Sequence, residues 1–132
     1  MRHLLDTNIV SDLVRNPQGR IADRIAQVGE DAVCTSVIVA AELRYRAAKK
    51  GSERLTAQLE RVLGALAILP FEEPADRAYG ELRTQLEAAG TPIGANDLLI
   101  AAQAMTLGCA VVTDNEREFA RIAGLTVVNW LR

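Results

Sequence analysis

The stretch Ile93-Gly94-Ala95-Asn96-Asp97-Leu98-Leu99-Ile100-Ala101-Ala102 constrains the fold of this chain most. From Leu98 onward, leucine, isoleucine and alanine cover every face of a helix, and Ala104, Met105 and Leu107 extend the pattern. A helix with no polar face is a central, buried one. An aspartate nevertheless stands in its first turn, on the face shared with Ile100 and Ala101. A carboxylate so placed has two accounts. Either it is helix-start chemistry, with Asn96 as N-cap and the dipole favouring Asp97, or a cation meets it.

The chain around this helix has 132 residues, which suits one compact domain spanning residues 1–132. Apolar residues make up 49%, enough to build a core and to argue against disorder. A net charge of −2 excludes a protein that grips nucleic acid by charge alone. It does not exclude a nuclease whose acidic site uses metal ions to accept phosphate. Cys34 and Cys109 lie in apolar runs and read as buried, reduced thiols of a cytoplasmic protein. Asp6 interrupts the N-terminal apolar run, so neither a signal peptide nor a membrane span is expected.

In chain order, His3 to Leu5 predicts a short strand and Ile9 to Val14 a short helix. Ile21, Ile25 and Val28 recur at helical spacing after the turn Asn16-Pro17-Gln18-Gly19. Ala32 to Thr35 is a second strand. Ser36 caps a helix from Val37 to Lys50, which Gly51 stops. Ser52 caps the next helix, with Leu55, Leu59, Val62, Leu63 and Leu66 as its inner stripe. Ala67 to Phe71 is a third strand, and Pro74 opens a helix that runs to Ala88. The Asp97 helix ends near Leu107-Gly108. Cys109 to Thr113 forms a fourth strand, a short helix carries Phe119 and Ile122, and Leu125 to Val128 forms a last strand. Short apolar strands separated by helices imply an α/β fold, a three-layer α/β/α sandwich around a mostly parallel sheet of four to five short strands. Ligands of such sheets bind beyond the carboxyl ends of the strands.

Four acids occupy comparable places. Asp6 directly follows the first strand and Asp114 the fourth. Glu42 is the odd residue in Val37-Ile38-Val39-Ala40-Ala41-Glu42-Leu43 and shares a face with Ile38 and Val39. Asp97 completes the set. Each has a plainer account: Asp6 and Asp114 as helix caps, Glu42 paired with a buried arginine. If all four converge, repulsion requires that some be protonated or that a divalent cation neutralise them. An all-oxygen donor set without a Cys/His cluster selects Mg²⁺, with Mn²⁺ as a substitute, over zinc. Such a pocket suits phosphoryl chemistry. Thr113 and Asn115, and Thr7 and Asn8, are placed to orient water or the ligating carboxylates, or serve only as turn and cap residues.

His3 reads as a packed strand residue. The basic run Arg44-Tyr45-Arg46-Ala47-Ala48-Lys49-Lys50 is either a solvated helix end or a contact for an RNA backbone. Arg15, Arg20 and Arg24 leave the same choice open, and Trp130 covers an edge of the core or stacks on a base.

The runs Leu5-Asp6-Thr7-Asn8-Ile9, Ala41-Glu42-Leu43, Gly94 to Ala101 and Val112-Thr113-Asp114-Asn115, with Phe119 and Asn129-Trp130, resemble the PIN-domain family in this order. The likeness is strongest to VapC-type toxins of bacterial type II toxin–antitoxin modules and runs the length of the chain. The resemblance implies a metal-dependent endoribonuclease in which Asp6, Glu42, Asp97 and Asp114 bind the metal and catalyse, with Thr113, Asn8 and Asn115 in support. It implies RNA, commonly transfer RNA, as substrate. It also implies a homodimer and an antitoxin that blocks the acidic pocket and binds operator DNA. Glu116 and Glu118 are further acids nearby. Two other readings stand beside this one: a phosphatase or phosphoacceptor domain with Asp6 as nucleophile, and a PIN-like module that has lost catalysis and only docks a partner. The phosphoacceptor reading wants a second aspartate where Asn8 stands.

Overall fold

The computed structural model describes the whole chain, Met1–Arg132. The elements run β1 (His3–Leu5), α1 (Thr7–Arg15), α2 (Arg20–Val28), β2 (Val33–Ser36), α3 (Val37–Lys50), α4 (Glu53–Ala65) and β3 (Ala67–Leu69). Then come α5 (Ala75–Ala88), α6 (Ala95–Leu107), β4 (Ala110–Val112), α7 (Glu116–Phe119) and β5 (Val127–Val128). The strands form one sheet in the order β3-β2-β1-β4-β5, and every pairing is parallel. This is the expected three-layer sandwich.

The sheet is parallel because a helix separates each strand from the next. The central strands can then be apolar on both faces: Leu4, Leu5, Cys34, Val111 and Val112 are all fully buried. Right-handed crossovers put α1 to α4 on one face and α5 to α7 on the other. The packing agrees: α1 touches α2, α3 and α4, while α5 lies against α6. One cluster of 26 buried apolar residues runs through both layers.

Local chemistry sets the helix ends. The Ser36 hydroxyl accepts from the Ile38 N–H at 3.0 Å and the Ser52 hydroxyl from the Leu55 N–H at 3.2 Å. Such caps contribute about 1 kcal/mol each. Gly51 closes α3 in the left-handed region at φ 67°, where a Cβ would be strained. In α6, residues Ile100 to Ala104 are all buried, as an all-apolar helix requires. The exception in kind is Gln103. Its amide donates to the carbonyls of Leu69 and Pro70 at 3.1 and 2.8 Å, tying α6 to the end of β3.

Some boundaries differ from expectation. The helix carrying Asp97 starts earlier, with Gly94 as its N-cap, so Asn96 lies inside the first turn. The third, fourth and fifth strands are shorter than the apolar runs that contain them, because the flanking residues leave the ladder to enter loops. Pro74 is the residue before α5 and not its first member. His3 packs on the buried Trp130 at 5.2 Å between ring centres, with Arg24 5.9 Å from the indole ring. Both cysteines are buried and unbridged. No helix is long and apolar enough to cross a membrane.

The strand order fixes where a site can form. From β1 the chain steps outward through β2 to β3, then returns to the other side of β1 for β4 and β5. The direction reverses between β1 and β4. Helices leave those two strands toward opposite faces and open a crevice at the carboxyl ends.

Candidate active site

Asp6 is the first residue beyond β1, and its backbone N–H still bonds the Val112 carbonyl of β4 at 2.9 Å. It is therefore at the reversal point. It does act as the N-cap of α1, as its plainer account held: one carboxylate oxygen accepts from the Thr7 N–H at 2.7 Å. The other accepts from the Thr113 hydroxyl at 2.8 Å. Asp6 is 2% exposed. Burial pushes its carboxyl above the ordinary 3.8, against the pull of the Thr113 and Thr7 hydrogen bonds, and Glu42 adds to the rise.

Glu42 comes from the second turn of α3. Its oxygens face the Thr7 hydroxyl and the Asn96 amide, both at 3.4 Å. No buried arginine ties it off. Its nearest cation is Arg46, one turn along α3 at 3.9 Å and half exposed. Asp97 comes from the first turn of α6. The Asn115 amide donates to it at 3.1 Å. Its carboxyl is pushed up to about 6, first by burial and then by the charges of Asp6 and Glu118, with Glu42 adding less.

Asp6, Glu42 and Asp97 line one open hollow of about 480 Å³, together with Asn8, Arg46 and Asn115. Residues 36 to 91 positions apart are thus brought to one place. They do not form a ready-made cage: no three acidic, cysteine or histidine side chains are gathered at cation-holding distance. Like charges in a half-dry cleft repel, and each carboxylate leans on a neutral donor instead.

Asp114 is not part of this group. It is exposed and accepts from the Asn129 amide at 3.0 Å. It does not cap α7 either, since Asn115 is the N-cap residue there. The reason is a bend just past β4: the Thr113 hydroxyl also accepts from the Asn115 N–H at 2.9 Å, and the chain turns at Asp114. Thr113 aims its hydroxyl at Asp6, while Asp114, at the bend, is turned out to Asn129. A different acid, Glu118 of α7, stands beside the hollow and is tied to Asp97 through Asn115. It accepts from the Asn115 amide at 2.8 Å and from the Gly94 N–H, and these bonds hold its carboxyl below the ordinary 4.5. Asn115 therefore bridges Asp97 and Glu118. The sequence held one signal for this: Glu118 follows Asn115 by three residues, one helical turn.

A family model for the PIN domain matches residues 3–125. The chain belongs to the PIN-domain family. Ribonuclease VapC2 of Rickettsia felis is 39% identical over 132 residues, covering 98% of either chain. The tRNA(fMet)-specific endonuclease VapC of Salmonella typhimurium is 34% identical over 131 residues, again covering 98% of each. Among solved structures, VapBC2 from Rickettsia felis bound to a DNA fragment from its promoter superposes with a TM-score of 0.92. That chain is 36% identical, with 98% of this chain and 99% of the other covered.

In this PIN domain the donors at the reversal point are all oxygen. Carboxylates, a hydroxyl and amides meet there, while His3 packs on Trp130 and the cysteines are buried in the core. That chemistry fits a hard divalent cation and not zinc. It does not fit a nucleophilic aspartate. Asp6 is almost wholly covered, and the acids that meet it come from α3 and α6 and not from a second aspartate beside it, since Asn8 stands there.

Proposed function

We propose that this PIN domain, as a single domain over its length, is a Mg²⁺-dependent endoribonuclease and the toxin of a toxin–antitoxin pair. The observation that carries the reading is the convergence of Asp6, Glu42 and Asp97 at the sheet's reversal point, with two of the three carboxyls raised. Related chains named as ribonucleases over their full length support it.

Asp6, Glu42 and Asp97 would hold the cation, with Glu118 as the fourth acid in place of Asp114. Once bound, the cation supplies charge neutralisation and Lewis acidity toward a phosphodiester. The chain's own groups do the rest. Thr113 and the Thr7 N–H fix the orientation of Asp6, so the carboxylate needs no rearrangement to accept a charge. Asn115 holds Asp97 and Glu118 at a set spacing. Asn8 and Asn96, exposed at the rim, offer amides to a substrate phosphate or an attacking water. The carboxyl of Asp97, raised to about 6, must give up any proton it holds before it can serve a cation.

Transfer RNA is the proposed substrate class, on the strength of the relative named for tRNA(fMet). A cognate antitoxin that covers the acidic hollow and binds operator DNA is the proposed partner, since the VapBC2 structure was solved on promoter DNA. A homodimer in the cytoplasm completes the reading. The decisive assay incubates purified chain with labelled RNA, with and without EDTA, beside Asp97→Asn. Cleavage should require divalent cation and fall at least about a hundredfold in the variant. Equal cleavage by both proteins would defeat the reading.

A further inference from the structure

Arg46 belongs to two cavities. It closes one side of the acidic hollow, and it also lines an adjoining groove of about 240 Å³ between α1, α3 and α4. Two more cations line that groove: Arg15 from the last turn of α1 and Lys50 from the last turn of α3. No acid lines it, and residues such as Leu43 and Leu59 give it an apolar floor. The chain as a whole carries 15 basic and 17 acidic residues, so three cations without an acid are a local excess against the overall sign.

The ion pairs of these cations are weak, although Arg15 also donates to the Ser11 hydroxyl of the groove at 2.8 Å. Arg46 is 3.9 Å from Glu42 and Arg15 is 3.8 Å from Asp12, with 51% and 63% of their side chains exposed. Ion pairs that long and that wet contribute little. Lys50 complements the α3 dipole, which leaves its ammonium donors open to solvent. Glu42, Arg46 and Lys50 follow one another at one-turn steps on the same face of α3. The face thus leads from the acidic hollow straight out into the basic groove.

We propose that the groove lined by Arg15, Arg46 and Lys50 is the track for the RNA backbone next to the bond being cut, with Arg46 gripping the nearest neighbouring phosphate. The inference rests on the ribonuclease reading. An acidic hollow filled by a cation can hold one phosphate, but it repels the phosphates on either side. A guanidinium at its edge offers two parallel N–H donors to the first of them. Arg15 and Lys50 take those further on, and the apolar floor takes sugar or base. Arg46 is in this sense a positioning residue: it sets which bond of the strand lies over Asp6, Glu42 and Asp97.

The test uses short single-stranded RNAs and the variants Arg15→Gln, Arg46→Gln, Arg46→Lys and Lys50→Gln. Arg46→Gln should raise KM by about five- to tenfold, with kcat changing less. The slope of log KM against log salt should fall by about 0.7 for each phosphate that no longer meets a cation. Arg46→Lys should recover most of the slope. In the wild type, a neutral methylphosphonate linkage beside the scissile bond should reproduce the rise in KM; in Arg46→Gln it should add nothing. Unchanged KM and salt slope in Arg15→Gln, Arg46→Gln and Lys50→Gln, while RNA is still cut, would overturn the groove and leave the ribonuclease reading intact. A second measurement follows RNA binding by anisotropy in the Asp97→Asn background. Arg46-dependent binding of RNA that the wild type never cuts would keep the groove and remove the ribonuclease. A polyglutamate peptide that binds as tightly as RNA of equal charge would also overturn the proposal, in favour of an acidic peptide.

Discussion

Asp97 shows what the site costs the fold. Its carboxyl is raised to about 6 by burial and by Asp6 and Glu118, well above the 3.8 it has in water. The folded chain therefore holds a proton between these values that the unfolded chain has released. Stability from this group is fully present below about pH 4 and is lost as pH rises through about 6. Asp97→Asn should accordingly stabilise the cation-free protein at pH 7.5. Because Asp97 is partly exposed, solvent screening trims the effect to about 1–2 kcal/mol, or roughly 3–6 °C in Tm. The difference should vanish near pH 4, as thermal melts at the two pH values would show; an equal gain at both would mean that charge is not the cause. The same proton works against the cation, so Mg²⁺ affinity should weaken as pH falls through about 6, measurable by calorimetry. Residue scale is also where the sequence was hardest to read. Asp114 and Glu118 are both acids just beyond β4. The bend that turns Asp114 out to Asn129 and the turn of α7 that brings Glu118 back to Asn115 decide between them, and both lie in the backbone path, not in residue type.

Among the elements, α6 and α7 make the site as a pair. The α6 N-terminus has no side-chain cap of its own, since Gly94 has none to give. Glu118 from α7 takes the Gly94 N–H instead. Glu118→Ala should loosen the first turn of α6, raising hydrogen exchange at Gly94 and at Leu98, whose N–H bonds the Gly94 carbonyl, by about five- to tenfold while the end of the helix, pinned by Gln103, is unaffected. Glu118→Gln keeps an acceptor and should restore most of the protection. Uniform exchange along α6 in Glu118→Ala would refute the pairing. The elements were mostly legible in advance. The stripe Leu55, Leu59, Val62 and Leu63 foretold α4, and Ser36, Ser52 and Gly51 marked ends where the structure has them. The start of α6 was not legible, because Asn96 is a good cap by type, whereas the true boundary depends on a carboxylate 24 residues away.

On the scale of the whole molecule, the site is a junction between two layers, joined through the sheet and by the contact of α3 with α6, where the Asn96 amide reaches Glu42. A cation bound only by the folded chain stabilises it by mass action, about 2.7 kcal/mol at a hundred times its dissociation constant. Mg²⁺ or Mn²⁺ should therefore raise Tm in the wild type and leave it unmoved in a chain carrying Asp6→Asn, Glu42→Gln and Asp97→Asn; an equal rise in both would place the cation elsewhere. The contact between Thr113 and Asp6 spans 107 residues, so β4 must be made before the second oxygen of Asp6 has its partner. A ribosome that stops short of β4 releases a polypeptide with three of its site acids, Asp6, Glu42 and Asp97, but without Thr113, Asn115 and Glu118 to set them in place. A site of this design is assembled only once residues from both ends of the fold have met, and the surface that a neutraliser would seize is finished by the same event.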